Sequence, residues 1–254
     1  ALLKVFGRKH IPSRTKEQKS EQKSEQKRRC WHCRLNPSLR IKANSPVPKR
    51  QSQRPKSMAD LHYEKQAGGI VAGIDEVGRG PWAGPVVAAA VIIDPDKLPD
   101  ELANVIDDSK KLSAKNREAV AAQLPFCAEI GIGAATPAEI GQLNILGATF
   151  RAMERAVCAL PTAPQFALVD GNRMPSLPCP ARTIVKGDSI SLSIAAASIV
   201  AKVTRDRIMT KLSLRYPGYG WETNSGYGTP QHSKALEEIG VTPHHRKSFA
   251  PIIK

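Results

Sequence analysis

No apolar run in this chain of 254 residues approaches the ~18 residues of a membrane span. The amino terminus is basic, but it lacks the apolar core segment of a signal peptide. Cysteine is sparse and odd in number: five are scattered along the chain. That argues against a disulfide framework and fits a reducing compartment, the cytoplasm. Acids are scarce at one end only. Residues 1–57 hold 3 Asp and Glu against 17 Lys and Arg, so almost all of the net charge of +15 sits there. The other 197 residues hold 20 acids and 21 bases. A nucleic-acid site in that larger part must therefore be a local patch and not a global field.

Residues 1–57 are expected to be disordered. Lys16 to Lys27 repeats EQKS-like units that bury nothing, and SPVPKRQSQRPKS further on is rich in Pro, Ser and positive charge. Cys30-Trp31-His32-Cys33 is a C-x-x-C with a His inside it. A structural zinc site needs four ligands, and the next cysteine is Cys127, so zinc is disfavoured here. A weak basic tether to nucleic acid fits this segment better. From Met58 on, the texture is that of a globular domain.

One stretch organises that domain, Ile70 to Ile93, IVAGIDEVGRGPWAGPVVAAAVII. An apolar run of strand type, Ile70 to Ile74, leads to two adjacent acids, Asp75 and Glu76. A loop of glycines and prolines follows, with Arg79 between Gly78 and Gly80. Val86 to Ile93 is a second apolar run, so the pattern predicts strand, loop, strand. Charge at the end of a core strand is costly to bury unless it is paired or holds a metal. Adjacent carboxylates also repel, so without a cation one tends to take up a proton. Neighbouring strand side chains point to opposite faces. A shared ion would need the strand to end or bulge here, or a backbone carbonyl to help. An ordinary hairpin with solvated acids explains these residues alone equally well.

The remainder alternates strands and helices. Asp94 to Pro99 is a turn cluster. Ser113 is a candidate N-cap for a helix over Ala114 to Gln123, preceded by Lys110 and Lys111, which either meet a phosphate or are solvated loop lysines. Phe126 to Ala135 reads as a third strand. Thr136, Pro137 and Glu139 open a helix whose apolar spacing runs from Ile140 to Val157. Gln165 to Val169 is a fourth strand. It ends in Asp170-Gly171-Asn172, either a ligand presented at a strand's carboxyl end or a plain turn. Arg182 to Val185 is a fifth strand. A long helix spans Ser191 to Leu214, with Asp188 at its start, where an Asp is also a standard cap. Beyond Pro217 the chain is loop-rich, with a short helix near Pro230 to Ile239. Tyr227 lies between two glycines, either exposed to stack on a sugar or base or packed on its own loop. His244, His245 and Arg246 read as a phosphate contact or a polar surface. Asp75, Glu76, Asp170 and Asp188, if they converge, make an all-oxygen set suited to Mg²⁺ or Mn²⁺ and to in-line displacement at phosphorus.

From Gly69 on, the chain resembles bacterial ribonuclease HII. The matching segments are GIDEVGRGPWAGPVV, DDSKKLS, NILGAT, VDGN, KGDSISLSIAAASIVAKVTRDR, YPGYGW, GYGTPQH and HRKSF, in that order. The resemblance implies a ribonuclease H-like α/β fold: a central five-stranded mixed sheet flanked by helices, with a C-terminal helical appendage from about residue 217. It implies an endonuclease that cuts on the 5′ side of a ribonucleotide, in an RNA–DNA hybrid or singly embedded in duplex DNA. It places the metal-binding carboxylates at Asp75, Glu76, Asp170 and Asp188, with Mg²⁺ or Mn²⁺ as cofactor. It assigns Gly78, Arg79 and Gly80 to the ribose 2′-hydroxyl, Tyr227 to the sugar at the RNA–DNA junction, and Lys110, Lys186 and Arg182 to phosphates. Two other readings compete. One is a non-catalytic hybrid-binding module, against which stands the full set of four acids. The other is a different metal-dependent phosphodiesterase, for which 2′-hydroxyl recognition has no use. Residues 1–57 lie outside the resemblance, and MADLHYEKQAGGIVAGIDE would be an ordinary start for the family. The segment is therefore expected to be an appendage or to reflect a start placed too far upstream. A monomer is the default expectation, and a sliding-clamp partner stays open.

Overall fold

The computed structural model describes residues 59–107, 112–250 and 252. The expected disorder of residues 1–57, the Cys30 to Cys33 motif, Lys110 and Lys111 lie outside the described residues. Among the described residues no helix is long and apolar enough to cross a membrane.

A five-stranded mixed sheet forms the centre, in the order β3-β2-β1-β4-β5. Strand β1 (Val71–Val77) turns back into β2 (Val86–Ile93), and β2 into β3 (Ala128–Ala135), both antiparallel. Strands β4 (Phe166–Asp170) and β5 (Ala181–Ile184) add in parallel on the other side of β1. Strand β2 is a continuous run of small and branched residues because it is covered on both faces. Ala89, Val91 and Ile93 pack in one layer, and Val86, Ala88 and Ala90 in the other.

The first layer is made by helices α2 (Asp100–Asp107), α3 (Ala114–Gln123) and α5 (Leu192–Arg215), through Leu102, Val120 and the Ala195–Val203 face of α5. The second is helix α4 (Pro137–Cys158), through Ile140, Ala152 and Met153. Gly73 lets α5 lie directly on β1: a Cβ there would stand 2.3 Å from the Ser193 carbonyl carbon and 2.4 Å from the Ile194 nitrogen. Two short helices, α6 (Trp221–Asn224) and α7 (Pro230–Glu238), form the carboxyl-terminal appendage. Its small core joins Tyr219, Trp221 and Ala235 to Ala83 and Met209.

The caps explain several boundaries. Ser113 accepts from the Asn116 nitrogen and starts α3. Thr136 and Glu139 form a reciprocal capping box on α4, with Pro137 in the first turn. The apolar spacing suggests one continuous helix α4, but the helix is broken. Asn144 leaves the helical region (φ 58°, ψ 174°), and its Oδ1 accepts from the Leu146 and Gly147 nitrogens at 2.9 and 3.1 Å, so it starts a second segment. At α5 Asp188 is not the cap, which leaves it to the site reading. Ser191 caps the helix by accepting from the Ile194 nitrogen, while Asp188 sits earlier, in a 3-10 turn over Gly187–Ser189. Helix α1 (His62–Ala67) buries none of its residues, which is why no periodicity announces it. Its Glu64 nevertheless clamps the start of α5: one oxygen accepts from the Ser191 hydroxyl and from the Ser193 hydroxyl and nitrogen, at 2.6 to 3.0 Å.

Candidate active site

Asp75 and Asp170 lie on the adjacent strands β1 and β4; Glu76 follows Asp75, and Asp188 follows Gly187, whose nitrogen bonds Asp170. Strand β1 neither ends nor bulges at its acids but continues through Val77, with Asp75 opposite Ala89 and Glu76 opposite Ala88, so of the routes to a shared ion only help from a backbone carbonyl is left. The parallel register with β4 ends on Ile74 and Val169, so Asp75 and Asp170 occupy the next step on adjacent strands. Asp75 is buried on the α5 side. Its Oδ1 accepts from the Glu76 nitrogen at 2.7 Å, and Ser198 of α5 supplies a hydrogen bond. Glu76 is largely covered, with Oε1 held by Arg79 at 3.2 Å. Asp170 Oδ1 accepts from the Gly187 nitrogen at 2.6 Å. Asp188 is next in sequence, and Lys186 makes the turn possible by taking a left-handed backbone (φ 56°).

The acids sense one another. Burial pushes the Asp75 carboxyl well above its ordinary value, and the charges of Glu76 and Asp170 push it further. Burial also raises Glu76; the Arg79 cation opposes this, and Asp170 adds to it. Asp170 is raised by burial and by Asp188, against the hydrogen bond from Gly187. A run of mutual repulsion thus links Asp75, Glu76, Asp170 and Asp188, and burial costs each of the first three.

The loop between β1 and β2 follows the first two acids, and two buried arginines hold its carbonyls. Arg205 of α5 donates to the carbonyls of Pro85, Ser225 and Ala83 at 3.0, 2.9 and 3.1 Å. Arg246 donates to Gly84 at 3.0 Å, to Arg79 at 2.8 Å and to Gly78. Both are fully buried, and these six hydrogen bonds all end on carbonyls. Gly78 has φ +88°, and a Cβ there would fall 2.1 Å from Arg205 Nε, so no other residue fits. The loop also pairs with the carboxyl-terminal segment: Trp82 N donates to Gly226 O, and Arg246 N to Trp82 O, each at 2.8 Å.

Tyr227 follows Gly226 and is 48% exposed. Its Cε1 lies 3.5 Å from where a Cβ on Gly80 would be, so its ring borders the loop. Arg79 is about half exposed, with Glu76 as its ion-pair partner. Lys186 is exposed, two residues before Asp188. Arg182 is set apart: its guanidinium lies 5.5 Å over the Tyr63 ring of α1. Two expectations for the carboxyl-terminal segment need correction. His245 and Arg246 are buried in the fold, so neither is a surface phosphate contact. Sequence reading also missed Arg205. Its signal was a charge in line with Ala201 and Met209, at helical spacing on the buried face of α5.

The donor set fits hard divalent ions. All four side chains offer oxygen, and Glu76 Oε2 is buried without a hydrogen-bond partner. Glu64 Oε2 shares that condition, but it belongs to the clamp on α5. Among the described residues no three His, Cys, Asp or Glu side chains are gathered to hold an ion as they stand. Each carboxylate is turned to a neighbour: Asp75 to the Glu76 nitrogen, Glu76 to Arg79, Asp170 to Gly187, and Asp188 to the Ser189 hydroxyl at 3.4 Å.

A model of the ribonuclease HII family matches residues 72–252. The chain belongs to the ribonuclease HII family. Ribonuclease HII of Paramagnetospirillum magneticum is 60% identical over 195 residues, covering 77% of this chain and 97% of that protein. Ribonuclease HII of Granulibacter bethesdensis is 60% identical over 196 residues, covering 76% and 89%. Among solved structures, ribonuclease H2 of Pyrococcus horikoshii superposes with a TM-score of 0.63 at 30% identity, over 73% of this chain and 96% of that one. Ribonuclease HII of Archaeoglobus fulgidus, solved in complex with PCNA, gives 0.61 at 26% identity, over 71% and 95%. The chain accordingly has the ribonuclease H-like fold and is a divalent-metal-dependent endoribonuclease acting on the RNA strand of RNA–DNA hybrids.

Proposed function

We propose that Asp75, Glu76, Asp170 and Asp188 form the reacting centre of this protein, and that the Gly78–Gly80 loop with Tyr227 selects the scissile bond. The observation that supports this most is the electrostatic coupling of four carboxylates beside a braced glycine loop. Held by these oxygens, two Mg²⁺ or Mn²⁺ ions would supply a water of lowered pKa and stabilise the leaving 3′ oxygen. The chain's own part is orientation. Arg205 and Arg246 take up the loop carbonyls. That stiffens a short backbone segment against which a ribose 2′-hydroxyl can be recognised, the group that separates RNA from DNA. Arg79, which is half exposed, and Lys186 offer cationic contacts to flanking phosphates. Tyr227 offers a ring face to the sugar at the RNA–DNA junction. Lys110 and Arg182 are carried as further phosphate contacts by the resemblance alone.

The bond cut lies 5′ of a ribonucleotide and leaves a 3′-hydroxyl and a 5′-phosphate. The test is cleavage of a DNA duplex carrying one ribonucleotide, with Mg²⁺ and then with EDTA. Metal-dependent cutting at the 5′ side, with an all-DNA duplex intact, is expected; cutting of both duplexes alike contradicts 2′-hydroxyl selection. Mg²⁺ and Mn²⁺ compared in the same assay decide the preferred ion. The catalytic unit is proposed to begin near residue 58. A sliding-clamp contact is proposed only by relation to the Archaeoglobus fulgidus protein, and co-elution with a clamp tests it.

A further inference from the structure

Behind Tyr227 lies a buried pair of histidines that the reaction does not use. His232 and His245 sit among Tyr219, Trp221 and Trp82. His232 is fully buried, and His245 nearly so. His232 Nδ1 is 2.9 Å from the Tyr227 carbonyl oxygen. A carbonyl only accepts, so Nδ1 carries a proton. His245 Nδ1 lies 2.8 Å from the Thr242 nitrogen, whose N–H only donates, so this Nδ1 is bare. The two Nε2 atoms face each other at 3.0 Å, and one proton lies between them. With His245 neutral, that proton is its own, and His232 Nε2 accepts it together with the indole N–H of Trp221 at 3.3 Å. Both rings are then neutral. Burial accords with this, lowering His232 and holding His245 down at about 4.

A directional chain results, from the Thr242 N–H through His245 and His232 to the Tyr227 carbonyl. The same carbonyl also accepts from the Thr229 nitrogen at 3.0 Å, and the Tyr227 nitrogen donates to Asn224 O at 2.9 Å. The ring of Tyr227 is half exposed, so its backbone does most to place it over the loop. We propose that His232, fixed as the Nδ1–H tautomer by His245, is a positioning residue that sets Tyr227 against Gly80. It would thereby govern cleavage at single embedded ribonucleotides. The inference rests on the junction-reading role proposed above for Tyr227.

The experiment measures kcat/KM on a duplex with one ribonucleotide and on a continuous RNA–DNA hybrid, for Tyr227→Ala, His232→Leu and His232→Asn. His232→Leu removes the donor. His232→Asn restores an N–H near the Nδ1 position. His232→Leu is expected to lose about tenfold on the single-ribonucleotide duplex, the scale of one misplaced hydrogen-bonded contact. It should lose much less on the hybrid, as Tyr227→Ala does, and His232→Asn should recover most of the loss. If Tyr227→Ala is selective but folded His232→Leu is not, or if Asn gives no recovery, the positioning role is overturned while that of Tyr227 stands. If Tyr227→Ala itself shows no substrate selectivity, the junction role fails and the inference falls with it. A measurement on the unaltered protein guards against unfolded variants. Imidazole ¹⁵N shifts should show His232 as Nδ1–H and His245 as Nε2–H; the Nε2–H form of His232 would overturn the proposal.

Discussion

Replacing Arg246 with Met keeps much of the side chain's length and removes every donor. The carbonyls of Gly78, Arg79 and Gly84 lose their guanidinium partner in a buried place. At ~1 kcal/mol or more per buried acceptor left unmade, three acceptors amount to about 3–5 kcal/mol. Part of this is offset, because burial and the Arg205 cation both disfavour the Arg246 charge. Removing one of two like charges returns on the order of 1 kcal/mol. The net loss is then about 2–4 kcal/mol, or roughly 4–16 °C in Tm for a domain of this size. Function should fall further than stability, because the released carbonyls belong to the loop that carries Arg79. Arg246→Lys should recover little, since an ammonium is a point charge without the planar fork. Urea unfolding and cleavage of the single-ribonucleotide duplex, both below the melting range, measure the two effects. A loss under ~0.5 kcal/mol with normal cleavage would show that these hydrogen bonds do not hold the loop.

Three other expectations follow from the same geometry. Gly73→Ala puts a methyl against the Ser193 and Ile194 backbone, so α5 must move off β1. It should cost about 1–3 kcal/mol and reduce cleavage by displacing Ser198 from Asp75, as paired unfolding and activity measurements would show. His245 has a folded pKa near 4 against an ordinary 6.5, so its stabilising effect is complete above about pH 6.5 and is lost as pH falls toward 4. Between pH 7 and pH 5 this amounts to about 2 kcal/mol. The Tm of the native protein should therefore drop more steeply over that range than that of His245→Gln; parallel curves refute the linkage. Removing residues 1–57 should leave metal-dependent cleavage intact at moderate salt, and a loss of activity would place a working part of the protein in that segment.

Much of the architecture was legible because burial imprints a period. The two-sided burial of β2 wrote a continuous apolar run, and the caps at Ser113 and Thr136 announced their helices by residue type. What escaped had no periodic signature. Helix α1 has no fully buried residue, and the break at Asn144 depends on one side chain bonding its own backbone two and three residues on. Strand β1 ran past its acids because Val77 still pairs with Val87, a tertiary fact. For the site, residue types and order pointed to the acids, but the convergence of β1 with β4 is a matter of sheet order. Arg246 was misjudged for a physical reason: a basic residue near a chain end is usually solvated, whereas this one is buried to satisfy carbonyls 162 to 168 positions away.

The central claim, that the four carboxylates hold divalent ions, is tested most directly by the effect of Mg²⁺ or Mn²⁺ on thermal unfolding of the native protein and of Asp75→Asn. Asn keeps the shape and an oxygen to accept from the Glu76 nitrogen. Without added metal the variant should be at least as stable as the native protein, since burial and Glu76 both oppose the Asp75 charge. With metal, the native protein should gain about 2.7 kcal/mol at a hundredfold excess over Kd, while the variant gains little and cleaves no substrate. Equal metal stabilisation of the two proteins, with cleavage retained in Asp75→Asn, would contradict the account.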